Sequence, residues 1–352
     1  MRIQASGAIT STPIDTLTED ELKFLDDVAA TDGAPEISGG LMAVATGEDT
    51  AHEAQTASSV WRVFADDADG SGPADARPAD AGPTDADPAG KDTTGELIGF
   101  GIRALQGDRH AAEFLIAPDH RRQGLGEQLL RTILDEEPEA WCWSHGDHPA
   151  AAHLAQKHGL GRDRVLYQMR TDTGLRLDGL PETQSPDGVE IRSFAPGDED
   201  GWLTVNNAAF DWHPEQGGQT RADIDAVVTA ADFDPTTFII AARDGEVIGF
   251  HQTKITDTDD EGRLGEVYVV GVDPRIHAKG VGKALTVEGM RRMVTAGAET
   301  IELYVESDNA PALGLYERLG FHVAVAHVAY APASAKVTGT DSASTASTDE
   351  KE

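Results

Sequence analysis

Leu22, Leu25, Val28 and Ala29 recur at helical intervals behind Thr18 and Glu21, a capping-box pair, with Leu17 and Leu22 placed as a hydrophobic staple. The spacing predicts a helix over 18–30. Short apolar runs then predict strands over 41–45, 60–65, 97–105 and 110–117. A Gly-rich turn and a helix over 124–135 follow, then a strand over 140–144, a helix over 149–157 and a strand over 165–170. The second part of the chain repeats that order. A strand over 189–193, helices over 200–210 and 222–231, and strands over 237–243, 247–256 and 264–272 lead into a second Gly-rich turn with its helix over 280–296. A strand over 300–305, a helix over 310–319 and a strand over 321–329 close the pattern. Strand, basic Gly-rich turn, helix, strand and helix occupy corresponding places in both halves, which is a duplication at the scale of a whole domain.

Three segments lack any such pattern. Residues 66–96 hold Asp, Gly, Pro and Ala without a large apolar side chain, so they cannot bury enough surface to offset the entropy of ordering. Because they lie between two adjacent strands, they read as a disordered acidic insertion within a domain rather than a linker. Residues 173–188, rich in Pro, Gly and Asp, read as the interdomain linker, and 333–352 as a disordered tail. The expected organisation is α/β, with two tandem domains over 1–172 and 189–332, each a mixed, mostly antiparallel sheet flanked by helices. A length of 352 residues suits two cores of ordinary size.

The chain has 62 acidic and 28 basic residues, a formal net charge of −34. This excludes a general nucleic-acid binder, which needs a basic footprint. Dense carboxylates that persist outside the insertion suggest adaptation to a salty cytoplasm. No apolar run is long enough to span a membrane and the first residues lack a signal-peptide layout, so the expected location is the cytoplasm, without a membrane partner. The one cysteine, Cys142, lies between Trp141 and Trp143 and reads as a buried strand residue rather than a nucleophile. His145, His148, His153 and His158 do not follow a zinc spacing, so no metal is expected.

Two basic islands interrupt this acidic chain, each following a strand and opening a helix. LIAPDHRRQGLGEQLL carries Arg121, Gly124 and Gly126 at R-x-x-G-x-G spacing; VGVDPRIHAKGVGKAL carries Gly280 and Gly282 alike, with His277 in the leading place. Glycine lets the backbone approach a phosphate closely, and the free N–H groups and dipole of the helix start attract its oxygens. Arg122, Lys279 and Lys283 add positive charge. Neither turn is followed by the Lys-Ser/Thr of a mononucleotide P-loop, and neither sits in a Rossmann context. Two such turns in equivalent settings point to pyrophosphate binding.

These turns resemble motif A of the GCN5-related N-acetyltransferases, whose pattern is R/Q-x-x-G-x-G/A; His277 departs from it. LYVESDNAPALGLYERLGFHV is similar to motif B of the same family, with Asn309, Tyr316, Gly320 and Phe321 in the pattern's places. The first half has no tyrosine on the corresponding helix. The resemblance implies acetyl-CoA as co-substrate. Its contacts in the first half would be Leu115, Ile116 and Ala117, then Arg121, Arg122, Gln123, Gly124, Leu125 and Gly126. In the second half they would be Val270, Gly271 and Val272, with His277, Ala278, Lys279, Gly280, Val281, Gly282 and Lys283 in the turn. Asn309, Ala310, Pro311, Ala312, Leu313 and Gly314 would complete that site.

The stretches NNAAFDWHPEQG, GEVYVVGVDP and LYVESDNA further resemble a tandem actinobacterial branch of this family. That branch acetylates the cysteinyl amine of cysteinyl-glucosaminyl-inositol, the last step of mycothiol biosynthesis. The resemblance implies that this small molecule is the partner; a monomer is the expectation, though nothing along the chain fixes the oligomeric state. It also implies substrate contacts at Glu36, Glu215, Lys254, Glu266 and Tyr304, with catalysis in the second domain only.

An amine is protonated at neutral pH and needs a base before it can attack a thioester, while the departing thiolate needs an acid. Glu266 is the candidate base and Tyr316 the candidate acid. Period two along the strand is expected to put Glu266, Tyr268, Val270 and Val272 on one face, with the backbone around Val270–Val272 polarising the thioester carbonyl. Two other readings remain open: a tandem acetyltransferase for another amine, such as an aminoglycoside or peptide N-terminus, and a non-catalytic acyl-CoA-binding sensor.

Overall fold

The capping box closes in both directions: the Thr18 N–H donates to Glu21 Oε2 at 2.8 Å, and the Glu21 N–H donates to Thr18 Oγ1 at 3.3 Å. It opens α1 (Glu19–Asp32), whose Leu25 and Val28 share a core with Leu17 and Leu22. The computed structural model describes residues 7–13, 17–32, 37–46, 58–65, 95–106, 109–211, 216–230, 233–258, 262–276 and 279–332. Its first half contains β1 (Gly7–Pro13), α1, α2 (Gly39–Thr46), β2 (Ser59–Ala65), β3 (Leu97–Gln106), β4 (Arg109–Ile116), α3 (Leu125–Glu136), β5 (Trp141–Ser144), α4 (Pro149–Lys157) and β6 (Leu160–Arg170). The second contains β7 (Val189–Ser193), α5 (Glu199–Ala209), α6 (Arg221–Thr229), β8 (Phe238–Arg243), β9 (Glu246–Thr258), β10 (Gly262–Val272), α7 (Val281–Thr295), β11 (Thr300–Glu306), α8 (Ala310–Arg318) and β12 (His322–Pro332).

Two elements depart from the sequence expectation. The run 41–45 is helical, because Leu41, Val44 and Ala45 are spaced for one helical face and all three bury in the α1 core. The strand β1, short of large apolar residues, forms because β2 offers it an edge over the register Gly7–Ala65 to Pro13–Ser59. The acidic insertion lies outside the described residues except for Gly95 and Glu96, as does the tail 333–352. The strands that flank the insertion are adjacent: the Ala65 N–H donates to the Glu96 carbonyl at 2.9 Å between the antiparallel β2 and β3.

All twelve strands join one sheet in the order β1-β2-β3-β4-β5-β12-β6-β11-β10-β9-β8-β7. The two halves have exchanged their last strands. β12, from the second half, lies between β5 and β6, while β6, from the first half, lies between β12 and β11. Helices α3, α4, α7 and α8 cover one face; Leu129 and Ile133 of α3 pack on Trp61 and Cys142, and Met290 and Met293 of α7 pack on Val267 and Leu303. Helices α1, α2, α5 and α6 cover the other, as Leu41 on Phe100 and Trp202 on Phe250 show. The segment between the halves is strapped to α7, with Thr183 Oγ1 donating to Glu288 at 2.7 Å and Arg291 paired with Glu182 at 3.2 Å. No helix among the described residues is long and apolar enough to cross a membrane.

Candidate active site

Each half builds the same opening from a parallel strand pair that parts. β4 pairs with β5 only at Ala111–Trp141 and Ala112–Cys142, and β10 with β11 only from Leu264–Thr300 to Val267–Leu303. Beyond those points the backbone of β4 and β10 has no ladder partner on that side, so its N–H and C=O groups are available to a ligand. Each strand then runs into a helix through a glycine in the left-handed region, Gly124 at φ 94° and Gly280 at φ 96°. Neither helix start has a side-chain cap, which leaves its first N–H groups for an anion. A Cβ at Gly124 would meet nothing within 4 Å, so the concavity is open.

The cations around the turns divide by role. Arg121 donates from Nε to the Ile116 carbonyl at 2.8 Å and pairs with Asp32 of α1, so it braces the loop. Arg122, Lys279 and Lys283 are exposed at the turn surfaces. Gln123 Nε2 donates to the Asp119 carbonyl at 3.4 Å. Leu125 and Val281 are buried as the first residues of α3 and α7, and Gly126 and Gly282 lie over Ile116 and Val272, where a Cβ would make only ordinary contact at 3.7 and 3.8 Å. Leu115 and Ile116 bury on opposite faces of β4, and the 3-10 turn that follows is capped at Ala117. His277 and Ala278 lie outside the described residues, as do Glu36 and Glu215.

On β10 the expected period-two alignment fails at one residue. The register with β9 shifts between Val267 and Val269, so Tyr268 is an extra residue in a β-bulge. Before the bulge, Gly265 and Val267 face α7; after it, Val270 and Val272 do, packing near Val281 and Leu285. Glu266 and Tyr268 thus share the opposite face, while the Val270 and Val272 side chains turn away from them. Gly271 falls on the Glu266 side, where a Cβ would come within 2.8 Å of Phe250 and 3.1 Å of Phe210. The backbone contacts expected from Val270 to Val272 do not depend on side-chain direction.

Around Glu266 the sheet register assembles a charged row. Lys254 on β9, Glu266 on β10, Glu302 on β11, Arg170 on β6 and His322 on β12 are successive cross-strand partners. Burial and the neighbouring Glu302 raise the pKa of the half-buried Glu266, against the opposing pull of Lys254. Lys254 lies with Nζ 3.2 Å from the centroid of the Tyr268 ring, a cation–π contact. Tyr268 and Tyr304 remain 41% and 45% exposed on this face. Burial and the carboxylates of Glu302 and Glu266 push the Tyr304 phenol up to about 12.

Tyr316 occupies the other face. It is 6% exposed and packs with Phe321 in the core that contains Val267, and burial raises its phenol to about 12. Glu266 and Tyr316 therefore approach from opposite sides of the sheet, and the gap between β10 and β11 is where the two sides communicate. Asn309 caps α8 by accepting from the Ala312 N–H at 3.2 Å; Pro311 opens that helix, and Ala312 and Leu313 pack on the Tyr316 core. Ala310 and Gly314 complete its first turns.

Sequence reasoning missed the partners that only pairing reveals: Glu302, Arg170, Gln168 and a buried chain in the first half. In that chain Glu113 accepts from the Ser38 N–H at 2.5 Å and meets His145 Nε2 at 3.0 Å, while His145 Nδ1 lies 2.9 Å from His327 Nδ1 on β12. His148 caps α4, and His158 faces Glu127 at 3.3 Å. Cys142 is buried in strand β5 and its thiol is pushed to about 12. A cavity of about 620 Å³ opens beside Arg170, Asp172, Glu299 and His322, but neither Glu266, Tyr316 nor either Gly-rich turn lines it.

A parallel strand pair parting beside a left-handed glycine helix start, built twice, defines a tandem acetyltransferase of the GCN5-related class. Residues 202–321 match the acetyltransferase (GNAT) family, and residues 89–159 match the acetyltransferase (GNAT) domain. In fold the chain is similar to a GCN5-related N-acetyltransferase from Sphaerobacter thermophilus, with a TM-score of 0.62 and 18% identity, covering 92% of this chain and 94% of that one. It is also similar to a tandem GNAT protein from the clavulanic acid biosynthesis pathway, with a TM-score of 0.59 and 15% identity over 92% and 97% of the two chains. In sequence it is 47% identical over 234 residues to the mycothiol acetyltransferase of Streptomyces coelicolor, covering 64% of this chain and 73% of that protein. It is 43% identical over 251 residues to the mycothiol acetyltransferase of Saccharomonospora viridis, covering 68% and 80%. The chain belongs to the mycothiol acetyltransferase family.

Proposed function

We infer that this protein transfers acetyl from acetyl-CoA to the cysteinyl amine of cysteinyl-glucosaminyl-inositol in mycothiol biosynthesis. The observation that carries the chemistry is Glu266, a half-buried carboxylate of raised pKa on the open face of β10, immediately before the strands part. Acetyl-CoA would supply an activated acyl group and a thiol leaving group. The chain's own part is to hold the pyrophosphate at the uncapped start of α7, orient the acyl group along the unpaired backbone of β10, and take a proton from the amine. A carboxylate whose pKa lies above the ordinary range accepts that proton more readily than an exposed one. Tyr316, with its phenol near 12, keeps its O–H at neutral pH and offers a hydrogen bond to sulfur as charge builds there. Complete transfer to a thiolate of ordinary pKa would be uphill, so hydrogen bonding is the contribution that burial favours.

Catalysis belongs in this reading to residues 189–332, with acetyl-CoA held but not turned over by residues 1–172. Ala112 faces the helix-side core at the last rung of β4–β5, as Val267 does at the last rung of β10–β11, so Ala111 stands where Glu266 stands. Helix α4 also carries no tyrosine. Lys254 and Tyr304 flank Glu266 as substrate contacts, with Glu36 and Glu215 assigned by resemblance. The small acceptor and the acidic surface are in keeping with a cytoplasmic enzyme without nucleic-acid or membrane partners. Thiol release from acetyl-CoA with cysteinyl-glucosaminyl-inositol should exceed that with aminoglycosides or free peptide N-termini. Equal rates across such a panel would refute the assigned acceptor.

A further inference from the structure

We propose that Glu302 and Arg170 form a charge pair that sets the proton affinity of Glu266, with the arginine supplied to the second half by the exchanged strand of the first. The inference rests on Glu266 as the base. The register carries the argument: Glu266 and Glu302 are direct partners in the parallel β10–β11 ladder, and Glu302 and Arg170 are direct partners in the antiparallel β11–β6 ladder. Partners of this kind project to the same side of a sheet, so two carboxylates lie side by side with a guanidinium against the second. Arg170 donates to Glu302 Oε2 from Nε at 2.9 Å and approaches it from Nη2 at 2.8 Å. Gln168, also on β6, donates to the same oxygen at 2.9 Å. Glu302 is 8% exposed, so water does little to screen it.

Among the described residues, the groups facing Glu266 are Lys254 from β9, Tyr268 from its own strand, and Glu302 and Tyr304 from β11, with Arg170 and His322 further along the row. Lys254 opposes protonation of Glu266, but its ammonium is exposed and lies over the Tyr268 ring. The close negative neighbour is Glu302, and it favours the protonated form of Glu266. Arg170 offsets that effect. With the pair intact, Glu266 can be deprotonated at working pH while remaining more basic than an exposed carboxylate. Had each half kept its own last strand, β6 would not lie beside β11, and Glu302 would lack this counter-charge. The first half thus acts on the second half's chemistry through the charge of Arg170, with Gln168 beside it on the same strand, independently of its own Gly-rich turn.

The two members of the pair must act in opposite directions, which gives a test that general loosening of the fold cannot mimic. The acid limb of kcat/KM against pH is measured on the full chain with acetyl-CoA and cysteinyl-glucosaminyl-inositol. Glu302→Gln should move the limb to lower pH, so that one unit below the wild-type midpoint its activity, relative to its own plateau, is about threefold higher or more. Arg170→Gln should move the limb to higher pH, with about threefold less relative activity or lower at the same point. Arg170→Lys, which keeps the charge, should return most of the way to wild type, and where Arg170→Gln fails to fold the shift in Glu302→Gln decides. A limb that stays within error of wild type in Glu302→Gln or in a folded Arg170→Gln, or limbs that move in the same direction in the two, would overturn the inference. Glu266→Gln separates the two claims: its rate should rise only at the higher pH where the amine loses its own proton, and an acid limb persisting at the wild-type midpoint in that variant refutes Glu266 as the base. A limb lost there but unmoved by Glu302 and Arg170 refutes the pair alone.

Discussion

Replacing Gly289 by alanine should destabilise the fold, although alanine is the better helix former. Gly289 is a buried residue of α7, and a Cβ there would come within 2.1 Å of His251 Cε1 and 2.3 Å of its Nδ1. The ring cannot easily give way: it is 0% exposed, and its Nδ1 lies 2.9 Å from the Leu285 carbonyl of the same helix. The exchange gains about 1 kcal/mol of helix propensity. Against this, forcing volume into a close-packed core costs about 1–3 kcal/mol. Displacing the ring also breaks the His251–Leu285 hydrogen bond, worth a further ~1 kcal/mol. Destabilisation should therefore win by roughly 1–3 kcal/mol, read as a lower urea midpoint at unchanged slope. In a His251→Ala background the same glycine exchange should be neutral or favourable, because the clashing atoms are gone. An unchanged or higher midpoint in the wild-type background would refute the packing argument. The contact also bears on function, since Gly280 is the N-cap of α7 and the packing of that helix fixes where the N–H groups proposed to hold the pyrophosphate point.

Four further outcomes follow from the same geometry. Burial lowers the His251 pKa from 6.5 to about 4, so its neutral form stabilises the fold fully above 6.5, and this contribution, about 3 kcal/mol, is lost as pH falls towards 4; urea midpoints for wild type and His251→Ala should converge over that window, and parallel curves would refute it. Gly124→Val, at φ 94°, should remove one acetyl-CoA equivalent from a calorimetric titration while leaving kcat within about twofold; a collapse of kcat would show that the first half takes part in turnover. Tyr316→Phe should lower kcat by about 10-fold or more and keep that defect at high pH, since sulfur stabilisation is separate from amine deprotonation. A defect that vanishes at high pH would contradict that role. Deleting residues 68–94 should leave melting temperature and activity nearly unchanged, because the segment has no apolar anchors; loss of either would show that it packs on the fold.

Much of this site was legible along the chain because its parts are local. A glycine that must adopt positive φ at a helix start leaves a mark at Gly124 and Gly280, and an Asn cap followed by Pro marks α8. The α2 segment was misread as a strand because an apolar run of five residues fits either period until its partners are known. The bulge at Tyr268 escaped for a related reason: period two cannot announce its own interruption, and Glu266 to Val272 looks regular until the β9 register is seen to slip. The strand exchange was hidden altogether, since β6 and β12 satisfy the same local pattern whichever half they pair with. Glu302 was overlooked with it. A carboxylate inside the apolar run Thr300–Glu306 was a visible signal, but only its place between Glu266 and Arg170 gives it meaning.

The most direct test of the account is the pH dependence of acetyl transfer to cysteinyl-glucosaminyl-inositol by wild type and Glu266→Gln, followed as thiol release from acetyl-CoA. Loss of the base should lower kcat by about 10² or more near neutral pH, with the deficit shrinking as pH rises and the amine loses its proton unaided. A variant with a raised KM, a nearly intact kcat and the wild-type pH profile would contradict the account, leaving Glu266 to position a cationic amine that some other group deprotonates.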